Sequence, residues 1–218
     1  MRPTGALAEA RALLEKINLC EINFSERFPL SPLHWIVADR EGAITVESMK
    51  DGLRIYENPI GVLTNNPPFE YHMTHLSNYR NLTAQTPENR FGEVALFTYS
   101  RGMGAMGLPG DVSSASRFVR AAFVKLNSVA GDSENESISQ FFHILGAVEQ
   151  QRGCVRLPDG SYEITAYTSC MNTDKGIFYY TTYENHGICA VDMHRCDLEG
   201  RELYQYALRK TQQVTLQN

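Results

Sequence analysis

The chain has 218 residues, 43% of them hydrophobic, and a formal net charge of −5 at pH 7. This acidic balance argues against nucleic acid as the main partner, because phosphate binding needs a basic face. No apolar run approaches the roughly 18–20 residues of a membrane span. The composition therefore predicts one domain over residues 1–218 with a sizeable core and no membrane segment.

The cysteines and the first residues of the chain indicate a cytoplasmic protein. Five cysteines form an odd set without a CxxC pair, which is typical of reduced thiols rather than of a disulfide framework or a zinc site. Residues 1–16 have the pattern of an amphipathic helix and lack the apolar centre of a signal peptide. We therefore predict a cytoplasmic location, and neither a metal ion nor a cofactor.

The first part of the chain predicts one helix followed by strands. Apolar residues at helical spacing predict a helix over residues 6–17. Alternating apolar residues with short turns then predict four antiparallel strands, over residues 33–39, 43–48, 52–58 and 60–65. The last strand stops abruptly, because it ends in Asn65 and is followed directly by a second asparagine and two prolines.

The remainder predicts helices and then a second group of strands. A helix is predicted over residues 69–80, and the glycine-rich sequence within residues 81–112 predicts a long ordered loop. Two more helices are predicted over residues 113–129 and 137–150, and short strands alternate with turns over residues 161–195. This order predicts the α+β class with antiparallel sheets and helical layers outside them.

Two polar residues are candidates for a site. Asn65 ends a predicted buried strand, where it is either an ordinary turn residue or an amide donor directed into a site. Arg117 lies near the start of a predicted helix, where it is either a surface residue or a buried cation that pairs with a carboxylate or lines a site. His72 and His75 share a helix face, but no partner at metal-binding spacing supports a zinc site.

Four long blocks of the sequence together form a distinctive pattern: "LHWIVADREGAITVES", "IGVLTNNPPFEYH", "GLPGDVSSASRFVRAAF" and "TAYTSCMNTDKGIFYYTTYEN". These blocks resemble the bacterial choloylglycine hydrolases, also called bile salt hydrolases. The resemblance runs in order over nearly all of the chain. It implies the fold of the N-terminal-nucleophile hydrolases, a four-layer αββα sandwich, which the penicillin V acylases share.

The resemblance also implies an activity. In this family a cysteine exposed by removal of the initiator methionine attacks the amide bond between a bile acid and glycine or taurine, and its own α-amine serves as the base. Acyl transfer passes through a thioester, which water then hydrolyses. The resemblance thus implies conjugated bile acids as partners. Because members of the family tend to form tetramers, it also implies a tetramer in which residues 81–108 form an assembly loop.

Site residues follow from the positions that match the family's motifs. Asn65 matches the asparagine whose amide helps to form the oxyanion hole, and Arg117 matches the arginine near the nucleophile. By the same likeness, the loop after residue 18 borders the substrate pocket. Ile22 and Phe24 are therefore the expected contacts with the steroid.

The chain departs from the family's pattern at its start. The family's leading strands and nucleophilic cysteine have no counterpart, so we expect an N-terminally incomplete domain. Arg2 is too bulky for ordinary methionine removal, and Cys20 has its nitrogen in a peptide bond. We therefore expect bile-acid amide hydrolysis as the family function, with this chain alone inactive. The alternatives are a non-catalytic bile-acid-binding remnant, a subunit that needs a partner chain, or an amidase like penicillin V acylase.

Overall fold

The structure is a computed structural model that describes residues 6–20, 22–27, 30–31 and 33–218. It has helices and antiparallel sheets, as expected for an α+β protein. The chain divides into two compact units, Met1–Asn127 and Ser128–Asn218. Each unit contains one three-stranded sheet. That residues 1–218 act as a single domain stays a prediction.

The sheet of the first unit confirms the first three predicted strands. Its order is β1 (His34–Ala38), β2 (Ala43–Met49) and β3 (Gly52–Glu57), with antiparallel pairing throughout. The central strand β2 is buried from Ala43 to Glu47 because it has a neighbour on each side. Its β-branched residues suit a pleated buried surface, and its isoleucine and valine are core residues of this unit. A short helix, α1 (Ala6–Leu14), precedes the sheet.

The predicted fourth strand, residues 60–65, is wrong. These residues form a loop whose backbone groups pair with side chains instead of with a neighbouring strand. The buried Asn58 accepts from the backbone N–H of Gly61 at 2.8 Å and donates to the carbonyl of Val62 at 2.9 Å. Lys125 donates to the carbonyl of Ile60 at 2.6 Å. The apolar run thus packs as a half-buried loop, which leads directly to Asn65.

Helix α2 (Phe69–Leu76) begins after the double proline, as the sequence predicts. The buried carboxylate of Glu47 accepts from the backbone N–H of Phe69 at 3.1 Å from each oxygen. This contact joins β2 to the first turn of α2, where a negative charge is favourable. A single 3₁₀ turn, Ser77–Tyr79, continues the helix.

Helix α3 (Ser114–Asn127) packs against α2 and confirms the helix predicted over residues 113–129. The ring of Phe118 is fully buried and contacts both Phe69 and His72, with centroid distances of 6.1 and 4.8 Å. Residues 80–113 form the predicted long loop, in which Met103–Ala105 makes one 3₁₀ turn. These contacts fix the first turn of α3 beside the loop that ends at Asn65.

The second unit contains one α-helix, one 3₁₀ turn (Met193–Arg195) and the second sheet. Helix α4 (Glu134–Gly146) begins three residues before the predicted start, because Ser133 and Glu136 form a capping box there. The sheet has the order β4 (Tyr167–Asn172), β5 (Ile177–Thr182) and β6 (Asn185–Asp192), all antiparallel. Glu134 connects α4 to this sheet through Asn172, Lys175 and Tyr179. Within the ranges that the structure describes, none of the helices could serve as a membrane span.

Candidate active site

The side chains of Asn65 and Arg117 meet in the first unit. Nη2 of Arg117 donates to Oδ1 of Asn65 at 2.5 Å, across 52 positions of sequence. Nε of the same guanidinium donates to the carbonyl of Val112 at 3.0 Å. Since Val112 lies in the loop before α3, the guanidinium is held on two sides. The structure therefore brings together the two polar residues that the sequence singled out.

The arginine also determines which atom of the amide faces it. A guanidinium only donates hydrogen bonds, so the amide atom next to it must be the oxygen, Oδ1, and the nitrogen, Nδ2, must point elsewhere. Among the described residues, Nδ2 of Asn65 donates no hydrogen bond. The side chain of Asn65 is exposed. The arrangement thus presents one oriented N–H donor group that an incoming oxygen atom could accept.

The backbone of Asn65 is held as well. Its carbonyl oxygen lies 2.6 Å from Oγ of Ser114 and 2.9 Å from Nε2 of His72. The hydroxyl of Thr64 donates to the backbone carbonyl of Ser114 at 3.1 Å. Three segments therefore converge on this point: the loop before α2, helix α2 itself and the first turn of α3.

The turn before α3 is ordered by Asp111. Hydrogen bonds from Ser113 and Ser116 lower the pKa of this carboxyl to about 2. Its oxygens accept from the backbone N–H of Ser113 at 2.9 Å and from the hydroxyl of Ser116 at 2.5 Å. Arg120 donates to the carbonyls of Pro109 and Asp111, both at 2.9 Å. These contacts stabilise the turn that positions Ser114 and Arg117.

A cavity of about 640 Å³ lies beside this group in the first unit. Ile22 and Phe24, the two expected substrate contacts, both line it, and these residues are 75% and 90% exposed. Leu19, Leu30, Leu33, Trp35 and Met49 add apolar surface. Asn66, the neighbour of Asn65, lines the cavity as well. The predicted pocket residues are therefore together, and the wall of their cavity reaches the residue next to Asn65.

The sequence did not predict the contacts that several residues make in this region. His34 and Glu47 line the cavity, where Nδ1 of the histidine lies 3.1 Å from a carboxylate oxygen. The only sequence signal for Glu47 is an acidic residue within the β-branched run "AITVES". Ser114 and His72 contact the carbonyl of Asn65, and no spacing of residues in the sequence predicts those contacts. In the part of the chain that the structure describes, no group of three or more histidine, cysteine, aspartate or glutamate side chains could hold a metal ion.

The comparison with protein families identifies the class. The family model of the linear amide C–N hydrolases, choloylglycine hydrolase family, matches residues 2–206. The chain belongs to the choloylglycine hydrolase family.

Curated relatives in this family carry the name bile salt hydrolase/transferase. The one from Lactiplantibacillus plantarum is 55% identical over 210 residues, which cover 96% of this chain and 65% of the relative. The one from Clostridium perfringens is 40% identical over 209 residues, which cover 95% of this chain and 64% of the relative. The chain therefore spans somewhat less than two thirds of the length of these relatives.

Solved structures agree with the predicted fold class. A conjugated bile acid hydrolase from Clostridium perfringens matches with a TM-score of 0.86 and 39% identity, over 97% of this chain and 65% of that one. The penicillin V acylase from Agrobacterium tumefaciens matches with a TM-score of 0.63 and 20% identity, over 88% of this chain and 53% of that one. The second likeness concerns the fold alone. The predicted α+β fold of the N-terminal-nucleophile hydrolase type is confirmed.

Proposed function

We propose that the chain takes part in hydrolysis of the amide bond of glycine- or taurine-conjugated bile acids, with Asn65 as an oxyanion donor. The observation that carries this proposal is the contact between Arg117 and Asn65, which leaves Nδ2 as the donor. Membership in the family supplies the reaction class. The names of the two bacterial relatives support the choice of bile salts as the substrate class.

The proposed role of Asn65 follows from charge development in the reaction. When a thiolate attacks an amide carbonyl, negative charge builds on the carbonyl oxygen in the transition state. A donor that is already oriented stabilises that charge without reorganisation, and one such donor is typically worth about 3–4 kcal/mol. Arg117 orients the asparagine through Oδ1. In the proposed complex, only the Asn65 side chain separates the positive charge of Arg117 from the developing anion.

The nucleophile of the proposed reaction is a thiol whose own α-amine is the base. The five cysteines within residues 1–218 all have their α-nitrogens in peptide bonds, so none of them provides this pair of groups. We therefore propose that residues 1–218 supply the asparagine, the arginine and the pocket, and that turnover needs an N-terminal cysteine next to them. Alone, these residues should release no glycine or taurine.

The cavity lined by Ile22 and Phe24 is the proposed site for the steroid. Its volume of about 640 Å³ lies within the range of small-molecule sites, roughly 300–1,000 Å³. A steroid presents a rigid, mostly apolar surface, which suits a wall of leucines, isoleucine, phenylalanine and tryptophan. The position of Asn66 in the same wall would bring the amide linkage of the conjugate towards Asn65.

Assembly and location are further parts of the proposal. The loop of residues 81–108 carries apolar side chains that are largely exposed, with Phe91 at 73% and Phe97 at 82%. Exposed aromatic residues of this kind are typical of surfaces that bind another protein. We propose that this loop mediates a homotetramer in the cytoplasm. Light scattering of the parent chain and of a Phe91→Ser, Phe97→Ser variant would test the assembly.

The test of the function is complementation with a nucleophile. A leading segment of the family that starts with cysteine is joined before residue 1, and release of glycine or taurine from glycocholate and taurocholate is measured. Turnover is expected in this protein. The matched controls are the same protein with serine in place of the leading cysteine and the 218-residue chain alone, and neither should turn over. A folded, cysteine-bearing protein that releases neither product would contradict the proposal.

A further inference from the structure

His72 occupies an unusual position for a histidine. Its ring is fully buried on α2 and stacks on Phe118 of α3, with a centroid distance of 4.8 Å and an interplanar angle of 12°. Its Nε2 lies 2.9 Å from the backbone carbonyl of Asn65. Among the described residues, its Nδ1 has no hydrogen-bond partner. A hydrophobic residue of similar size would fill this space without leaving a polar atom unpaired.

The contact with a carbonyl determines the tautomer of the ring. A carbonyl oxygen only accepts, so Nε2 must carry the proton and Nδ1 must be the bare nitrogen of a neutral ring. Burial lowers the pKa of the His72 imidazole, which favours the same neutral form. The titratable groups that act on the ring are Glu47, which raises its pKa, and His34 and His75, which lower it.

Ser114 provides a second donor to the same oxygen. Its hydroxyl lies 2.6 Å from the carbonyl of Asn65, on the side of α3. The carbonyl is therefore held by one donor from each of the two helices, and the side-chain amide of the same residue is held by Arg117. A residue fixed at its backbone and at its side chain has little freedom to turn its remaining N–H group.

We propose that His72 is a positioning residue for the Asn65 amide, which it fixes, together with Ser114, through a hydrogen bond to the Asn65 backbone carbonyl. The orientation of the amide can be measured in the 218-residue chain without any substrate. Only the consequence for turnover rests on the proposed function.

Two substitutions separate the hydrogen bond from the packing. His72→Phe keeps an aromatic ring against Phe118 and removes the donor, whereas His72→Gln removes the ring and keeps an N–H near the position of Nε2. A positioning role predicts that the phenylalanine variant loses the orientation of Asn65 and that the glutamine variant retains much of it. A packing role predicts the reverse order. His75→Phe is the matched control, because His75 stacks on Tyr71 at 5.5 Å on the same helix.

Nuclear magnetic resonance of the ¹⁵N-labelled chain provides the measurement. In the parent chain, the nitrogen signals of His72 should show a protonated Nε2 and a bare Nδ1. Nuclear Overhauser contacts should connect the Asn65 side-chain amide with the Arg117 guanidinium. These contacts should vanish in His72→Phe, weaken in Ser114→Ala, and persist in His72→Gln and His75→Phe.

Each alternative outcome overturns the proposal. A parent chain with the proton on Nδ1 would overturn it even if no variant folds. Persistence of the Asn65 contacts in His72→Phe would do the same, as would their loss in His72→Gln alone. In the cysteine-bearing protein, His72→Phe should lower kcat at least tenfold with KM nearly unchanged, and His72→Gln should restore part of it. Intact Asn65 contacts in a parent protein without turnover would count against the proposed function and not against this positioning role.

Discussion

Nη2 of Arg117 lies 2.5 Å from Oδ1 of Asn65, and this contact joins the first turn of α3 to the loop that precedes α2. It gives each residue a role that neither has by itself. The arginine selects the oxygen of the amide, so the nitrogen is left as the outward donor. The loop before α3, through Asp111 and Val112, determines where the arginine lies.

Arg117→Lys should lower kcat in the cysteine-bearing protein by about 10- to 100-fold, the usual range for a lost hydrogen bond from a charged group. A lysine ammonium is a point donor on a flexible chain and cannot reproduce the contacts with both Val112 and Asn65. Steady-state kinetics with glycocholate would measure the change. Arg120→Lys is the control, since Arg120 is on the same helix and bonds to Pro109 and Asp111 instead. Equal losses in both variants would show that the site merely needs an intact α3.

Acid should weaken the turn before α3 through Asp111. The pKa of this carboxyl is lowered to about 2 by hydrogen bonds from Ser113 and Ser116, so its stabilising effect is present above the ordinary value near 3.8 and is lost as the pH falls towards 2. The side chain is exposed, so the effect should be small. The free energy of unfolding, measured with urea, should fall more steeply between pH 5 and pH 2 for the parent chain than for Asp111→Asn. Parallel curves would show that Asp111 contributes nothing to folding.

In the second unit, Glu134→Gln should lower the urea midpoint for unfolding. The carboxylate accepts from Asn172 at 2.6 Å, from Lys175 at 2.5 Å and from Tyr179 at 3.0 Å, so one substitution removes the charge that three donors share. Fluorescence or circular dichroism would report the midpoint. Glu184→Gln, at an exposed turn between β5 and β6, is the control and should leave it unchanged. Equal midpoints for all three proteins would contradict a stabilising role.

The apolar cavity should govern binding of the steroid. Phe24→Ala should weaken binding of taurocholate to the 218-residue chain by about 10- to 100-fold, because burial of one such side chain contributes about 1.5–3 kcal/mol. Isothermal titration calorimetry would measure the dissociation constant. Leu126→Ala, an exposed leucine on α3 that does not line the cavity, is the matched control. An unchanged affinity in Phe24→Ala would show that the steroid binds elsewhere.

Local patterns predicted the elements that depend on local forces. The strands on either side of the short turn at residues 40–42, and the helices after the double proline and at Ser114, follow from periodicity, turn residues and helix starts. The strand predicted over residues 60–65 failed because a short apolar run does not reveal its partners. The side chains of Asn58 and Lys125 form hydrogen bonds with the backbone of this segment, and Lys125 lies 65 positions away from its acceptor in the sequence.

The candidate site was predicted only in part. Asn65 and Arg117 were candidates from the sequence itself, whereas their roles, and the choice of Ile22 and Phe24, came from the likeness to a family. All of these assigned roles stay predictions. Local sequence could not reveal that a histidine on α2 and a serine on α3 contact one backbone oxygen, because those contacts exist only after the helices pack. Nor could local sequence show that Glu47, on strand β2, is buried and accepts a hydrogen bond from the start of α2 instead of facing outward.

The proposed role of the Asn65 amide is to stabilise an oxyanion. The decisive measurement is kcat for glycocholate hydrolysis by the cysteine-bearing protein with Asn65→Ala, compared with Asn66→Ala as the neighbouring control. The loss of one such donor should lower kcat by about 10²–10³ and change KM much less, because the charge exists mainly in the transition state. Asn66→Ala should keep a nearly normal kcat. A nearly normal kcat in Asn65→Ala would contradict an oxyanion role for Asn65, and a loss confined to Asn66→Ala would show that the donor is the adjacent amide.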